Sequence, residues 1–427
     1  MSSGPLWVAP LPPGSRELPA PALPPAKSDL NRRLVLAALS AGTTRVGPRS
    51  AADDVLRLVE GLRGLGVPVR EEGGLWSVGQ LDLSDATPRE VHAGEGGTTS
   101  RFLLALASRR AGATVVRGGA QLARRPLAPL LQALRALGAR VERRDAGEAL
   151  VVRVEGPWAT PSPGVTIEAG TSSQFASALL LVAPPAGLEL SVGGAVRSRP
   201  YLELTLRALA AAGGRVESLP GAREGWRIEG AAGPVAELLA APDASSATYP
   251  AALAALRGRV VLPALDAGQA DARFPRLLSA MGARVEEGPA GQLTIEARRL
   301  RGGELDAGDC PDLVPAFCAA AAGAEGETVV RGAAHLRAKE SDRIALLVAA
   351  LRAFGVEAQE RPDGLWLRGL GDPSRLRPAA RPPVGADHRL AMTGALLGRA
   401  GGGAWIEDPA CVAKSWPGFW AWLEACG

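Results

Sequence analysis

Six times along the chain an amphipathic run closes on a glycine. The runs are LVEGLRGLG, LLQALRALG, LTLRALAAAGG, LLSAMG, LVAALRAFG and WPGFWAWLEACG. Their closing glycines are Gly66, Gly138, Gly213, Gly282, Gly355 and Gly427, so the steps are 72, 75, 69, 73 and 72 residues. Leu and Ala recur at three- and four-residue spacing, which marks one apolar helical face. Glycine suits the left-handed position that ends a helix. A short strand-like segment follows five of the six. The sixth copy ends at the last residue, and LWVAPL near the N-terminus could supply its strand.

A second phrase interleaves with the first. Loops of small and polar residues lead into KSDLNRRLVLAAL, GGTTSRFLLALA, TSSQFASALLLVA, DASSATYPAALAAL, CPDLVPAFCAAAA and ADHRLAMTGALL. Markers at Ser28, Thr98, Ser173, Ser246, Asp312 and His388 step by 70, 75, 73, 66 and 76 residues. These runs are apolar almost all round, which predicts buried helices. A period near 70 is too long for solenoid repeats, which run from about 20 to 50 residues. Three units closing into a domain, twice, account for it better. The expected domains are 25–240 and 241–427, the second completed by residues 1–24.

Composition narrows the function classes. The net charge of +4 over 427 residues is mild, and the arginines are scattered among acids rather than concentrated in a stripe. Nucleic acid is therefore not an expected partner. The four cysteines form no CxxC pair and no His/Cys cluster, so neither a metal site nor a disulfide framework is expected. The start, MSSGPLWVAPLPPG, does not read as a signal peptide, and no uncharged apolar stretch reaches membrane-spanning length. A cytoplasmic protein without membrane partners is expected.

Charge at the helix starts is informative. The N-terminal end of a helix dipole favours acids, as at Asp53 and Asp54. Elsewhere bases stand there: Arg124 and Arg125, Arg199, Arg343, Lys414, and in the buried-helix phrases Lys27, Arg32, Arg101 and Arg389. A base at such a position makes sense if an anion binds, because backbone N–H groups and a guanidinium then converge on phosphate or carboxylate. At any single site an ordinary surface arginine is the simpler account. The repetition points to a pocket for a multiply charged anion, walled by helix N-termini of both domains, with GEGGTT and TSSQ offering close backbone approach and hydroxyls. Among 48 basic residues only Lys27, Lys339 and Lys414 are lysine, all read as loop residues just before helices. Lysine can lose its proton when buried, whereas arginine cannot. Asp312 and Glu340 either balance charge there or move protons.

Taken in order, KSxxNR, GxxGTxxR, the Arg-Pro of ARRP, SSQF, SxPY, DASSA, PD, KESDR, DHR and AKSWP resemble the EPSP synthase family of enolpyruvyl transferases over about residues 24–420. The resemblance implies an α/β (α+β) fold of two inside-out, barrel-like domains, each of three βαβαββ units. It implies addition of the 5-hydroxyl of shikimate 3-phosphate to C2 of phosphoenolpyruvate with protonation of C3. A tetrahedral intermediate then loses phosphate, in the pathway to chorismate and the aromatic amino acids. No cofactor and no metal are implied, and a monomer is expected.

By the same resemblance Ser28 and Arg32 hold the shikimate carboxylate. Ser172, Ser173 and Ser198 hold its phosphate, with Gln174 and Tyr201 along the ring. Lys27, Gly97, Arg125, Gln174, Arg343, Arg389 and Lys414 grip phosphoenolpyruvate. Asp312 is the expected base at the 5-hydroxyl with Lys339 beside it, and both also belong to the shikimate 3-phosphate set with Lys27. Glu340 is the expected proton donor to C3, with Lys27 the second candidate. Thr98 and His388 are neighbours of the site.

The chain departs from the family text at Pro25-Ala26, Leu30, Phe102, Glu95 and His335. Glu95 would place an acid near phosphoenolpyruvate, and His335 stands where an asparagine helps bind the shikimate phosphate. The sister transferase acting on UDP-N-acetylglucosamine is the nearest alternative. It carries a cysteine five residues before the Arg of its Arg-Pro, where this chain has Ala120 before Arg125. A non-catalytic anion-binding homologue is the other alternative. It would have no use for Asp312, Glu340 or the three lysines.

Overall fold

The structure is a computed structural model. It describes residues 4–14, 17–147, 149–158, 164–168, 170, 172–184, 186–194, 196–220, 224–229 and 233–427. Thr171 of the TSSQ loop, and Ser15 and Arg16 near the N-terminus, lie outside the described residues. The chain divides into two compact units. One is Pro25–Ala241; the other is Met1–Pro24 with Pro242–Gly427.

Pro25–Ala241 carries three four-stranded sheets. Their strand orders are Glu237–Leu239, Thr43–Gly47, Leu75–Gly79, Val69–Glu72; then Arg89–His92, Thr114–Gly118, Leu150–Glu155, Arg140–Arg143; then Val165–Glu168, Leu188–Gly193, Gly225–Glu229, Arg215–Ser218. In each sheet the first two strands are parallel and the other two join antiparallel. The helices Lys27–Leu39, Gly97–Ala107 and Gln174–Val182 pack against one another inside these sheets. Leu34, Leu103 and Leu179 in them are fully shielded from solvent. Burying one such leucine contributes about 1.5–3 kcal/mol, which is why helices with so little polar surface settle at the centre.

The covering helix Asp53–Gly64 is amphipathic in the way its spacing implies: Val55, Leu58, Val59 and Leu62 face inward while Leu56 is exposed. It ends near Gly66 at φ +97°, and Gly355 holds φ +84° after the helix Arg343–Ala353. The other four closing glycines have the same sign of φ. This conformation suits a residue without Cβ.

The second unit has a three-stranded sheet, Arg259–Leu262, Leu293–Glu296, Arg284–Glu287, and a four-stranded one, Glu304–Asp306, Glu325–Arg331, Gly364–Leu370, Glu357–Arg361. Its third sheet pairs the N-terminal strand Leu6–Val8 antiparallel with Ala404–Ile406. Arg399 pins that segment, donating from Nη1 to the Ala9 carbonyl at 3.0 Å and from Nη2 to the Leu423 carbonyl at 2.7 Å. The buried helices here are Ala244–Leu256, Val314–Ala322 and His388–Ala400, again in mutual contact. No helix among the described residues is long and apolar enough to cross a membrane.

Candidate active site

In Pro25–Ala241 the buried helices begin where the candidate residues lie. Lys27 is the first residue of its helix rather than a loop residue, and Ala26 before it has non-helical backbone, with φ −57° and ψ 104°. Its Nζ lies 2.8 Å from Asp54 Oδ2. The hydroxyl of Thr99 donates to the Asp54 carbonyl at 2.9 Å, which ties Lys27 to the start of the next buried helix. That helix opens at Gly97, and a Cβ built there would lie 2.4 Å from Arg125 Nη1 and 2.7 Å from Arg101 Nη1. Only a residue without a side chain lets both guanidiniums approach this backbone.

Arg101 organises the same corner. Its Nη1 donates to the Gly97 carbonyl at 2.8 Å and to Gln174 Oε1 at 2.9 Å, and Nη2 donates to the Pro126 carbonyl at 2.9 Å. Gln174 Nε2 in turn donates to Thr98 Oγ1 at 3.2 Å. Gly97, Thr98, Arg125 and Gln174 thus converge.

Arg32 is buried, its guanidinium 5.6 Å from the Phe102 ring centre. Nε donates to Thr205 Oγ1 at 2.7 Å and Nη1 to the Ser28 carbonyl at 2.6 Å. Nη2 donates to Ser177 Oγ at 3.2 Å and the Tyr201 carbonyl at 3.0 Å. Burial brings its guanidinium down to about 10, against the opposing charge of Asp29. Ser198, just before the helix Arg199–Ala211, has φ +58°, a left-handed backbone that is costly for a residue with a Cβ. Ser173 is buried, and Ser172 Oγ accepts from the Gln174 amide at 3.3 Å.

In the other unit one buried arginine gathers three acids. Arg343 Nε donates to Asp387 Oδ2 at 2.9 Å, Nη1 to Asp312 Oδ1 at 3.2 Å and Nη2 to Glu340 Oε2 at 2.7 Å. Arg389 Nη2 lies 2.8 Å from Asp312 Oδ2, and Lys414 Nζ 3.5 Å from Glu340 Oε1. Asp387 is completely buried and also accepts from the Arg389 amide and from Ser341. His388 Nδ1 lies 3.9 Å from Asp387 Oδ1. Burial alone would raise the proton affinity of Asp312. Arg389, Lys339 and Arg343 outweigh it and hold the carboxyl well below the usual carboxylate range. The Asp387 contacts hold Arg343 charged despite its burial. Four cations face three carboxylates here, an arrangement suited to a further anion.

The family profile described as EPSP synthase (3-phosphoshikimate 1-carboxyvinyltransferase) matches residues 21–423. The chain belongs to the EPSP synthase family. A 3-phosphoshikimate 1-carboxyvinyltransferase of Syntrophobacter fumaroxidans is 36% identical, over 94% of this chain and 95% of that protein. One from Thermococcus kodakarensis is 37% identical, over 93% and 94%. The structure of EPSP synthase from Acinetobacter baumannii superposes with a TM-score of 0.80 at 26% identity, over 99% of this chain and 98% of that one. The mixed α/β, two-domain fold is that of the EPSP synthases.

Against this family background, some sequence expectations need correcting. Arg199 and Arg124 are exposed, and Arg199 pairs with Glu203 and Glu224 at the surface, so it joins neither cluster. Glu95 turns toward the short helix Ala120–Arg124: its Oε2 accepts the Leu122 amide at 3.2 Å, and a Cβ on Gly119 would meet its Oε1. It serves a helix N-terminus, where a carboxylate is favoured. His335 occupies the 3-10 turn Ala334–Ala338, immediately before Lys339.

Sequence reasoning did not single out Asp54, Asp387 or the clamp role of Arg101. Asp54 reads as an ordinary helix-start acid, and Asp387 as part of DHR. Their partners lie 27 and 44 residues away, beyond any local pattern.

Proposed function

We propose that the chain transfers the enolpyruvyl group of phosphoenolpyruvate to the 5-hydroxyl of shikimate 3-phosphate, with residue roles as follows. The cluster of Arg343, Arg389 and Lys414 with Asp312 and Glu340 carries the proposal, because it joins anion-binding cations to groups that can move protons. Arg343, Arg389 and Lys414, together with Lys27, Gly97, Arg125 and Gln174, are the residues assigned to phosphoenolpyruvate. Ser28 and Arg32 take the shikimate carboxylate. Ser172, Ser173 and Ser198 take the phosphate, and Tyr201 and His335 complete that set.

Asp312 is the base at the 5-hydroxyl, and the low proton affinity that Arg389, Lys339 and Arg343 impose on it has a mechanistic use. When an anionic substrate engages Arg389 and Arg343, it shares the charge that now holds Asp312 ionised. Its proton affinity then rises toward the range a base needs. Lys339 stands beside it as the second charge. Glu340, between Arg343 and Lys414, delivers the proton to C3, and Lys27 is the other candidate. C–O bond formation at C2 and proton addition at C3 give the tetrahedral intermediate. Loss of inorganic phosphate with return of a proton to the protein then gives the enol ether. We take the working form to be a cytoplasmic monomer, which light scattering of the purified protein tests.

Purified protein given both substrates in buffer with a chelator is expected to release inorganic phosphate and form 5-enolpyruvylshikimate 3-phosphate. Binding of both substrates without release would instead indicate a non-catalytic homologue. Lys27→Arg keeps the charge but cannot keep both the compact contact with Asp54 and a transferable proton. It is expected to lower kcat by about 100-fold or more. Turnover within a few-fold of wild type would refute the special role of lysine.

A further inference from the structure

Asp271 is a buried carboxyl outside the roles assigned above. It sits in the 3-10 turn Ala270–Arg273 and is only 2% exposed. Its Oδ2 accepts a hydrogen bond from Ser245 Oγ, while its Oδ1 is shielded from solvent and has no hydrogen-bond partner among the described residues. The helix Ala244–Leu256 packs against both this turn and the turn Pro311–Leu313 that carries Asp312. The charged and titratable groups acting on Asp271 are Asp312, Arg389 and Asp243. Cys310, two residues before Asp312, feels Asp271 and Arg273 in turn.

We infer that Asp271 is a positioning residue for Asp312, a second buried carboxyl that keeps its proton so that Asp312 alone carries the negative charge facing Arg389. Two carboxylates in one low-dielectric site cannot both ionise cheaply. Asp312 has Arg389, Arg343 and Lys339 to stabilise its anion. Asp271 has one hydroxyl donor and a bare oxygen, so the proton belongs on Asp271. Burial first, and the charge of Asp312 second, push Asp271 up to about 7, against the opposing pull of Arg389 and Ser245.

The consequence rests on the proposed function. Above about pH 7 Asp271 ionises and adds a negative charge that acts on Arg389, weakening the grip on phosphoenolpyruvate. The stability consequence does not depend on that function. The folded chain keeps this proton up to about pH 7, whereas an unfolded aspartate releases it near pH 4. Stability from this group is therefore full below the unfolded value and is lost as pH rises through the folded one.

Asp271→Asn removes the titration and keeps the shape. In ligand-free protein, the Tm of the variant minus that of wild type is expected to widen from pH 4 to 7 and stay constant above. The ratio of variant to wild-type kcat/KM for phosphoenolpyruvate is expected to rise about fivefold between pH 6.5 and 8.5, a change that purely structural damage would not produce. If Asp271→Asn does not fold, Ser245→Ala removes a hydrogen bond that lowers the Asp271 value, and should move both transitions to higher pH. A Tm difference independent of pH, with unmoved profiles in Ser245→Ala, overturns the inference while leaving the proposed reaction intact. A widening Tm difference in a protein without turnover keeps the carboxyl pair and removes the proposed reaction.

Discussion

Asp312→Asn is expected to lower kcat for enolpyruvyl transfer by about 100- to 10,000-fold, the range for loss of a positioned base. The amide keeps the shape of the carboxylate that now receives Arg389 Nη2 at 2.8 Å and Arg343 Nη1 at 3.2 Å, but it cannot take the hydroxyl proton. It also removes a negative charge that competes with substrate for both arginines. Phosphoenolpyruvate binding by calorimetry should therefore be retained or tightened while single-turnover product formation collapses. This split between binding and chemistry distinguishes a base from a residue that only holds Arg389. A variant with kcat within threefold of wild type would show that another group removes the proton.

Arg343→Met is expected to destabilise the unit containing it by about 3–5 kcal/mol, the cost of breaking a buried ion pair from one side. Methionine fills much of the stem volume but leaves Asp387 without its arginine partner in a site with no solvent contact. Asp312 retains Arg389 and Glu340 retains Lys414, so the penalty concentrates on Asp387. The double variant Arg343→Met, Asp387→Asn should recover a large part of the loss, since the stranded charge is gone. Denaturant unfolding of the single and double variants measures this. Equal destabilisation in both would mean that Arg343 acts through packing rather than charge. Transfer activity is not expected to recover, because the anion contact is still missing.

The helices were legible in the sequence for local reasons. Leu58 and Leu62 face inward because a four-residue step returns to the same side of a helix, and Gly66 and Gly355 close helices because their backbone is left-handed. Runs such as FLLALA have no polar face to show to water, so burial follows from composition alone. Candidate cations were legible because lysine is scarce and because bases at helix starts oppose the dipole. The same local logic treated Arg199 and Arg125 alike, although one pairs with surface acids and the other approaches Gly97. Nothing in their neighbouring residues separates the two.

The sequence by itself determined the repeated helix and strand phrases, the family, and which side chains could carry charge to an anionic substrate. Those properties are set by residues within one or two helical turns of each other, or by motif order along the chain. Only the tertiary structure decided how the charges are shared. Asp54 holds Lys27 across 27 residues, Asp387 holds Arg343 across 44, and Glu95 folds onto a helix end. It also set the directions in which burial and neighbouring charges push two buried carboxyls, Asp312 down and Asp271 up. Proton affinity depends on burial and on charges a few ångströms away in space, and sequence separation does not encode either distance.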